Sequence, residues 1–260
     1  MTFDVAQVRA HFPALKSGAV FFDNPGGTQV AAQVVERMND YLLRTNANHG
    51  GAFKTSADSD AVVHEAHAAV ADFLNAASPD EIVFGANMTT LTFSLSQALA
   101  REMYPGDEIV ITELDHEANR GPWLALGERG ITVREAALRR DGTLDYEDMR
   151  RKITDRTRLV AVGYASNALG TVNDVPLVRE LSREVGAWLL VDAVHYAPHF
   201  PLDVNTLDAD FLLCSAYKFY GPHVGILYTR PGLNRPLRWS RQCKRPLILP
   251  LRPQRREEGG

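Results

Sequence analysis

WLLVDAVHYAPHFPLDVNTLDADFLLCSAYKFYGP, residues 188–222, decides the fold. Trp188, Leu189, Leu190 and Val191 form an apolar run that stops at Asp192, with Ala193, Val194 and His195 behind it. Phe211, Leu212, Leu213 and Cys214 form a second run that stops at Ser215, Ala216, Tyr217 and Lys218. Strands apolar on both faces belong to a sheet covered on both sides. Each run ends abruptly in polar chemistry, and in such sheets ligands sit beyond the strand C-termini.

The same alternation extends outward in both directions. Strands are expected at 81–84, 108–112, 131–134, 159–164 and 224–228. Helices are expected at 30–43, 56–74, 89–100, 117–127 and 175–185. In the first of these, Val30, Val34, Val35, Met38, Tyr41 and Leu42 share one face. Residues 19–22 form a short apolar run, and residues 46–53 read as a loop. The expected fold class is α/β, a mostly parallel sheet wrapped by helices.

The 260 residues carry a net charge of -4, 45% apolar residues and two cysteines, Cys214 and Cys243. Such a chain folds without a disulfide framework, and its acidic balance excludes a general nucleic-acid binder. No apolar run reaches the ~18 residues of a membrane span. Met1, Thr2, Phe3 and Asp4 lack the pattern of a signal peptide. A cytoplasmic protein is the expectation.

At the expected strand ends stand Asn87, Met88, Thr89 and Thr90, then Asp115 and His116, then Ser166 and Asn167, then Asp192 and Ser215 to Lys218. A lysine between a buried strand and the Gly221-Pro222 turn loses solvation, which lowers its pKa and frees its amine for a Schiff base. Asp192, on the neighbouring run, is placed to pair with a protonated ring nitrogen. An imine-forming lysine with such an aspartate suits pyridoxal 5'-phosphate. A helix starting near Thr89 offers amides to a phosphate, Ser215 adds a hydroxyl, and His116 offers a face to a pyridine ring.

These strings, VDAVHYAPH (191–199) and SAYKFYGP (215–222), resemble the class V aminotransferase family, in particular its cysteine desulfurase-like branch. DNPGGTQ (23–29), NANHGG (46–51), NMTTLTF (87–93), LDHEAN (114–119) and SNALGT (166–171) follow the family's order. The resemblance covers roughly residues 3–235 and implies a large domain of pyridoxal-phosphate fold type I over 21–235, after an N-terminal segment 1–20. It implies Lys218 as the Schiff-base lysine, Asp192 at the pyridine nitrogen and His116 stacked on the ring. His195 and Asn167 would stand near the phenolic oxygen, and Met88, Thr89 and Ser215 at the phosphate. Asn24, Gly26 and Gly27 would lie on the substrate loop. It further implies a small amino-acid substrate and a homodimer whose interface lies near the 46–53 loop. Tyr217 departs from the family, where many desulfurases carry histidine before the lysine.

Other readings of these residues are weaker. Ser215 to Lys218 matches the S-x-x-K of penicillin-binding enzymes, but S-D-N and K-T-G are absent. His64 and His67 lack the i, i+4 spacing of a zinc pair, so no metal is expected. Cys214 reads as a packing residue. Family members continue into a small C-terminal domain, expected to be missing here. Residues 236–260 read instead as a basic, proline-rich, disordered tail, expected from a frameshifted or truncated gene, with a real short protein carrying a basic tail as the alternative. The alternative function is then a truncated, catalytically impaired cofactor-binding remnant.

Overall fold

The computed structural model describes residues 3–233, together with the backbone of Arg235–Leu237 and Leu247–Leu249, which pair antiparallel. The rest of the expected tail, Cys243 included, lies outside the described residues.

Seven strands form the main sheet: β1 (Ile82–Gly85), β2 (Glu108–Thr112), β3 (Thr132–Ala136), β4 (Thr157–Gly163), β5 (Trp188–Asp192), β6 (Phe211–Ser215) and β7 (Gly225–Thr229). Their order is β1-β7-β6-β5-β4-β2-β3. From β3 to β6 every pairing is parallel, whereas β7 runs antiparallel to both β6 and β1. The cause is the length of the 216–224 link, since a parallel return needs a crossover of about a dozen residues. The sheet is therefore mostly parallel, as expected, with one reversed strand.

Burial follows strand position. Every residue of β2, β6 and β7 is buried, whereas β1 and β3, at the edges, are only partly covered. One face packs Val110, Val160, Val162, Leu189, Val191 and Leu212 against helix Val175–Glu184 and its neighbours. The other packs Ile109, Ile111, Leu159, Leu190 and Leu213 against helix Met88–Leu99 and Trp123. The helix starts are set by side chains: Asn87, Asp145 and Asp174 each accept first-turn N–H bonds.

One expectation is corrected. Residues 117–127 do not form one helix. A 3-10 turn Glu117–Asn119, a four-residue helix Gly121–Leu124 and a 3-10 turn Ala125–Arg129 replace it, because Pro122 interrupts the N–H ladder and restarts it. The run 19–22 is irregular and leaves Val20 and Phe22 in solvent. Helix Ala32–Asp40 forms and continues into a wide turn Tyr41–Thr45, but it buries none of its residues. Periodicity dictates which side chains share a face; whether another element covers that face is a tertiary matter.

Candidate active site

The C-terminal ends of β5 and β6 lie side by side and present Asp192 and Lys218 to one cavity of about 380 Å³, a size suited to a small ligand. Lys218 closes a single 3-10 turn after β6 and is 8% exposed. Its Nζ donates to the Pro25 carbonyl and stands 4.7 Å from the centroid of the Tyr217 ring. Burial draws the Lys218 pKa down, and the Asp192 carboxylate opposes that shift. Asp192 ends β5, and its Oδ1 accepts the Val194 N–H at 3.0 Å. Burial pushes its carboxyl up to about 6, against the Val194 bond and Lys218. His195 is pushed down to about 4, by burial first and then by Lys218, His116 and His199. Its ring is therefore neutral at pH 7.

The opposite wall is the start of helix Met88–Leu99. Asn87 Oδ1 accepts the Thr90 N–H, and Ser215 Oγ accepts the Met88 N–H at 3.0 Å, which ties the helix start to the end of β6. Gly225 makes this approach possible: a Cβ there would stand 2.3 Å from the Asn87 carbonyl carbon. His116 stands between these walls. Its Nδ1 accepts the Ala118 N–H at 3.0 Å, so the neutral ring carries its proton on Nε2.

Met88, Thr89, His116, Asp192, His195, Ser215 and Lys218 all line the cavity, while Asn167 does not and is half-buried in the loop after β4. The 24–27 loop docks on the Lys218 turn without lining the cavity. Pro25 accepts from Lys218, the Thr28 N–H donates to the Tyr217 carbonyl at 2.9 Å, and Gly27 packs on the Tyr217 ring. Asn87, Thr90 and Tyr217, read at the strand ends but given no role toward the ligand, also line the cavity, as do Ala118, Val194 and His223. The Tyr217 and His223 rings stack 4.2 Å apart and 10° from parallel. The helix cap at Asn87 was a usable signal, but nothing in the sequence around His223 announces that β7 carries it back to the site.

The cavity suits a flat, anionic, aldehyde-bearing ring. A desolvated amine and a buried carboxylate share it, two imidazoles line it beside them, and first-turn residues of the helix with a hydroxyl line the far wall. A mostly parallel sheet of this order with a lysine beyond β6 is the large domain of a fold-type-I pyridoxal-phosphate protein.

The comparisons agree. The family model of class-V aminotransferases matches residues 20–242. The aminotransferase-like protein FGM3 of Gibberella zeae is 42% identical over 235 residues, covering 87% of this chain and 58% of the relative. A cysteine desulfurase of Pectobacterium atrosepticum is 35% identical over 242 residues, covering 90% and 60%. The apo structure of a cysteine desulfurase from Thermococcus onnurineus superposes with a TM-score of 0.83 at 32% identity, over 89% of this chain and 58% of that one. The chain belongs to the class-V aminotransferase family, whose cofactor is pyridoxal 5'-phosphate. It spans about three fifths of the length of these relatives. No helix among the described residues is long and apolar enough to cross a membrane.

Proposed function

We propose that the protein is a pyridoxal-phosphate enzyme acting on an amino acid, of the cysteine desulfurase or class-V aminotransferase type. One observation carries this reading: a buried amine, Lys218, and a buried carboxylate, Asp192, face one cavity of cofactor size. Lys218 would hold the cofactor through its aldehyde, and its free amine would move the proton at the substrate α-carbon as base and then acid. Asp192 would hold a protonated ring nitrogen, and His116 would offer its face to the ring. Met88, Thr89 and Ser215 hold the phosphate, His195 and Asn167 serve the phenolic oxygen, and Asn24, Gly26 and Gly27 border the substrate. The bound cofactor supplies an electron sink for the α-carbon.

The reaction type is left to the product. Among the described residues the one free cysteine is Cys214, sealed in β6 with its thiol pKa raised by burial and by Asp192, so it attacks no sulfur there. A homodimer in a reducing, cytoplasmic setting completes the reading, and sedimentation at twice the chain mass of 28.8 kDa checks the dimer.

Borohydride reduction of cofactor-loaded protein, followed by peptide mapping, is the test. The label is expected on Lys218 and lost entirely in Lys218→Ala; a folded wild type that takes up no label sinks the proposal. A second reading, a cofactor-binding chain with impaired turnover, draws on the apolar face that helix Ala32–Asp40 leaves in solvent. Coloured protein that releases neither keto acid nor sulfide from amino acids would favour it.

A further inference from the structure

The anion end of the cavity is short of hydrogen-bond donors. It is built from the start of helix Met88–Leu99 and the end of β6, and much of what these offer is turned inward. The Met88 N–H goes to Ser215 Oγ at 3.0 Å, the Thr90 N–H to Asn87 Oδ1 at 2.9 Å and the Thr90 hydroxyl to the Asn87 carbonyl at 3.0 Å. Among the described residues, the donors left there without a protein partner are the N–H and hydroxyl of Thr89 and the Ser215 O–H. A phosphate brings a double negative charge and three strong acceptor oxygens. No arginine among the described residues lines the cavity, and its lysine, Lys218, is committed to the aldehyde.

The link from β6 to β7 carries a further donor to this end. Ser215 is registered against Gly225, the Ala216 N–H donates to the Val224 carbonyl at 2.8 Å, and Gly225 lies against the Asn87 backbone. Residues 223–225 therefore run between the end of β6 and the helix start, which sets His223 at the anion end of the cavity it lines. His223 is exposed, and among the described residues neither of its ring nitrogens hydrogen-bonds to a protein group. It is held instead by its face, on the Tyr217 ring 4.2 Å away and 10° from parallel. Tyr217 is in turn fixed by Gly27, packed on its ring, and by the Thr28 N–H on its carbonyl. A stack sets the plane of an imidazole and leaves its edge nitrogens open to a ligand. The other two cavity imidazoles are less free: His116 Nδ1 is bonded to the Ala118 N–H, and His195 is half-buried beside Lys218.

We propose that His223 is a phosphate-binding residue, donating from its ring N–H to the cofactor phosphate, and that Tyr217 is the positioning residue that holds the imidazole there. This rests on the cofactor reading, which supplies the phosphate. It adds to the anion site a segment that follows Lys218 in the chain and is returned to the cavity by the reversal of β7.

The test compares two probes, 4'-deoxypyridoxine 5'-phosphate and 4'-deoxypyridoxine. They differ only in the phosphate, and neither has an aldehyde for Lys218. Calorimetric titration gives the Kd of each. His223→Ala, at an exposed loop position, is expected to weaken the phosphorylated probe about 10-fold, the effect of one hydrogen bond to a charged group, and to leave the other unchanged. Tyr217→Leu, which removes the stacking face, is expected to give the same selective loss. Tyr217→Phe, which keeps the face, is expected to retain the wild-type ratio of the two affinities. In His223→Ala, an equal loss for both probes or no loss for either overturns the inference and leaves the cofactor reading intact. A selective loss in Tyr217→Phe would assign a bond to the tyrosine hydroxyl and overturn the positioning role. A wild type that binds neither probe overturns the cofactor reading instead.

Discussion

Asp115 and Asp210 do the same backbone work at opposite ends of the sheet, with opposite electrostatics. Asp210 precedes β6, and its Oδ2 accepts the Leu189 N–H of β5 at 2.8 Å, as Asp115 accepts across β2 and β4. Asp210 has two arginines: Arg179 Nη1 at 3.2 Å and Arg230 Nε at 3.4 Å. Asp115 has none among the described residues. Glu108 repeats the lower-end pattern at the start of β2. It is 1% exposed and takes two bonds from Arg134, at 2.9 Å each, and one from Arg156 at 2.7 Å. The Arg134 hydrogen bonds, chief among the causes, draw its pKa down to about 2, whereas burial pushes Asp192 and Asp115 up to about 6 and 7. At the lower end a buried acid is matched by arginines; at the upper end no arginine among the described residues offsets the burial of Asp192 and Asp115.

The sharpest way to break this contrast is Asp192→Asn. Removing an acid that is matched by its ligand costs binding and not folding. Affinity for the cofactor is expected to fall about 10- to 100-fold, the worth of a charge-assisted bond, while Tm holds or rises. The sign of the pH effect follows from the raised pKa. The folded state holds the Asp192 proton where the unfolded chain has lost it, so the cost of its charge grows from about pH 4 and is complete above about 6. Asp192→Asn is expected to remove that downward slope of stability with pH. Denaturant titrations of the apoprotein across this range measure it, and a Tm several degrees lower in the variant would place Asp192 with the structural acids.

How far the upper end was legible can be read from its residues. Asp192, Ser215 and Lys218 follow runs so apolar that their burial, and hence the chemistry at their ends, was readable in one dimension. Met88, Thr89 and His116 follow strands or open a helix in the same way, and they line the same cavity. Asn167 also follows a strand, but its loop turns away, because the 166–173 segment bonds to itself and to Tyr164. His223 lies after Gly221-Pro222 with no periodic pattern, and only the reversal of β7 returns it to the cavity. The Asp115 brace spans 48 positions to Gly163, a distance at which no spacing rule operates. The alternation of strands and helices survived translation into structure. The direction of β7 and the uncovered face of helix Ala32–Asp40 did not, because pairing partners and covering elements are set by tertiary contacts.

Glu108→Gln tests the lower end. The substitution keeps the shape and removes the charge that two arginines share. Stability is expected to fall by about 2 kcal/mol, less than the ~3–5 kcal/mol for breaking a fully buried pair, because Arg134 and Arg156 reach solvent. The wild-type contribution is present above the ordinary glutamate value of 4.5 and is lost as pH falls toward 2. The variant is therefore expected to lose the acid-limb decline between those values and to keep its cofactor affinity. A drop in affinity with unchanged Tm would invert the assignment of the two ends.

The smallest effect belongs to a pair that lies at neither end. Arg150 Nη1 approaches Glu184 at 3.5 Å between helices Tyr146–Lys152 and Val175–Glu184, and both side chains are at least half exposed. Water screens this pair, and fixing two long side chains costs rotamer entropy, so Arg150→Ala is expected to change stability by less than about 0.5 kcal/mol. The measurement is a denaturant midpoint at low and at high salt. If burial decides whether charge matters in this molecule, neither condition separates variant from wild type. A loss above 1 kcal/mol that disappears in salt would mean that long-range charge, rather than burial, distinguishes the two ends of the sheet.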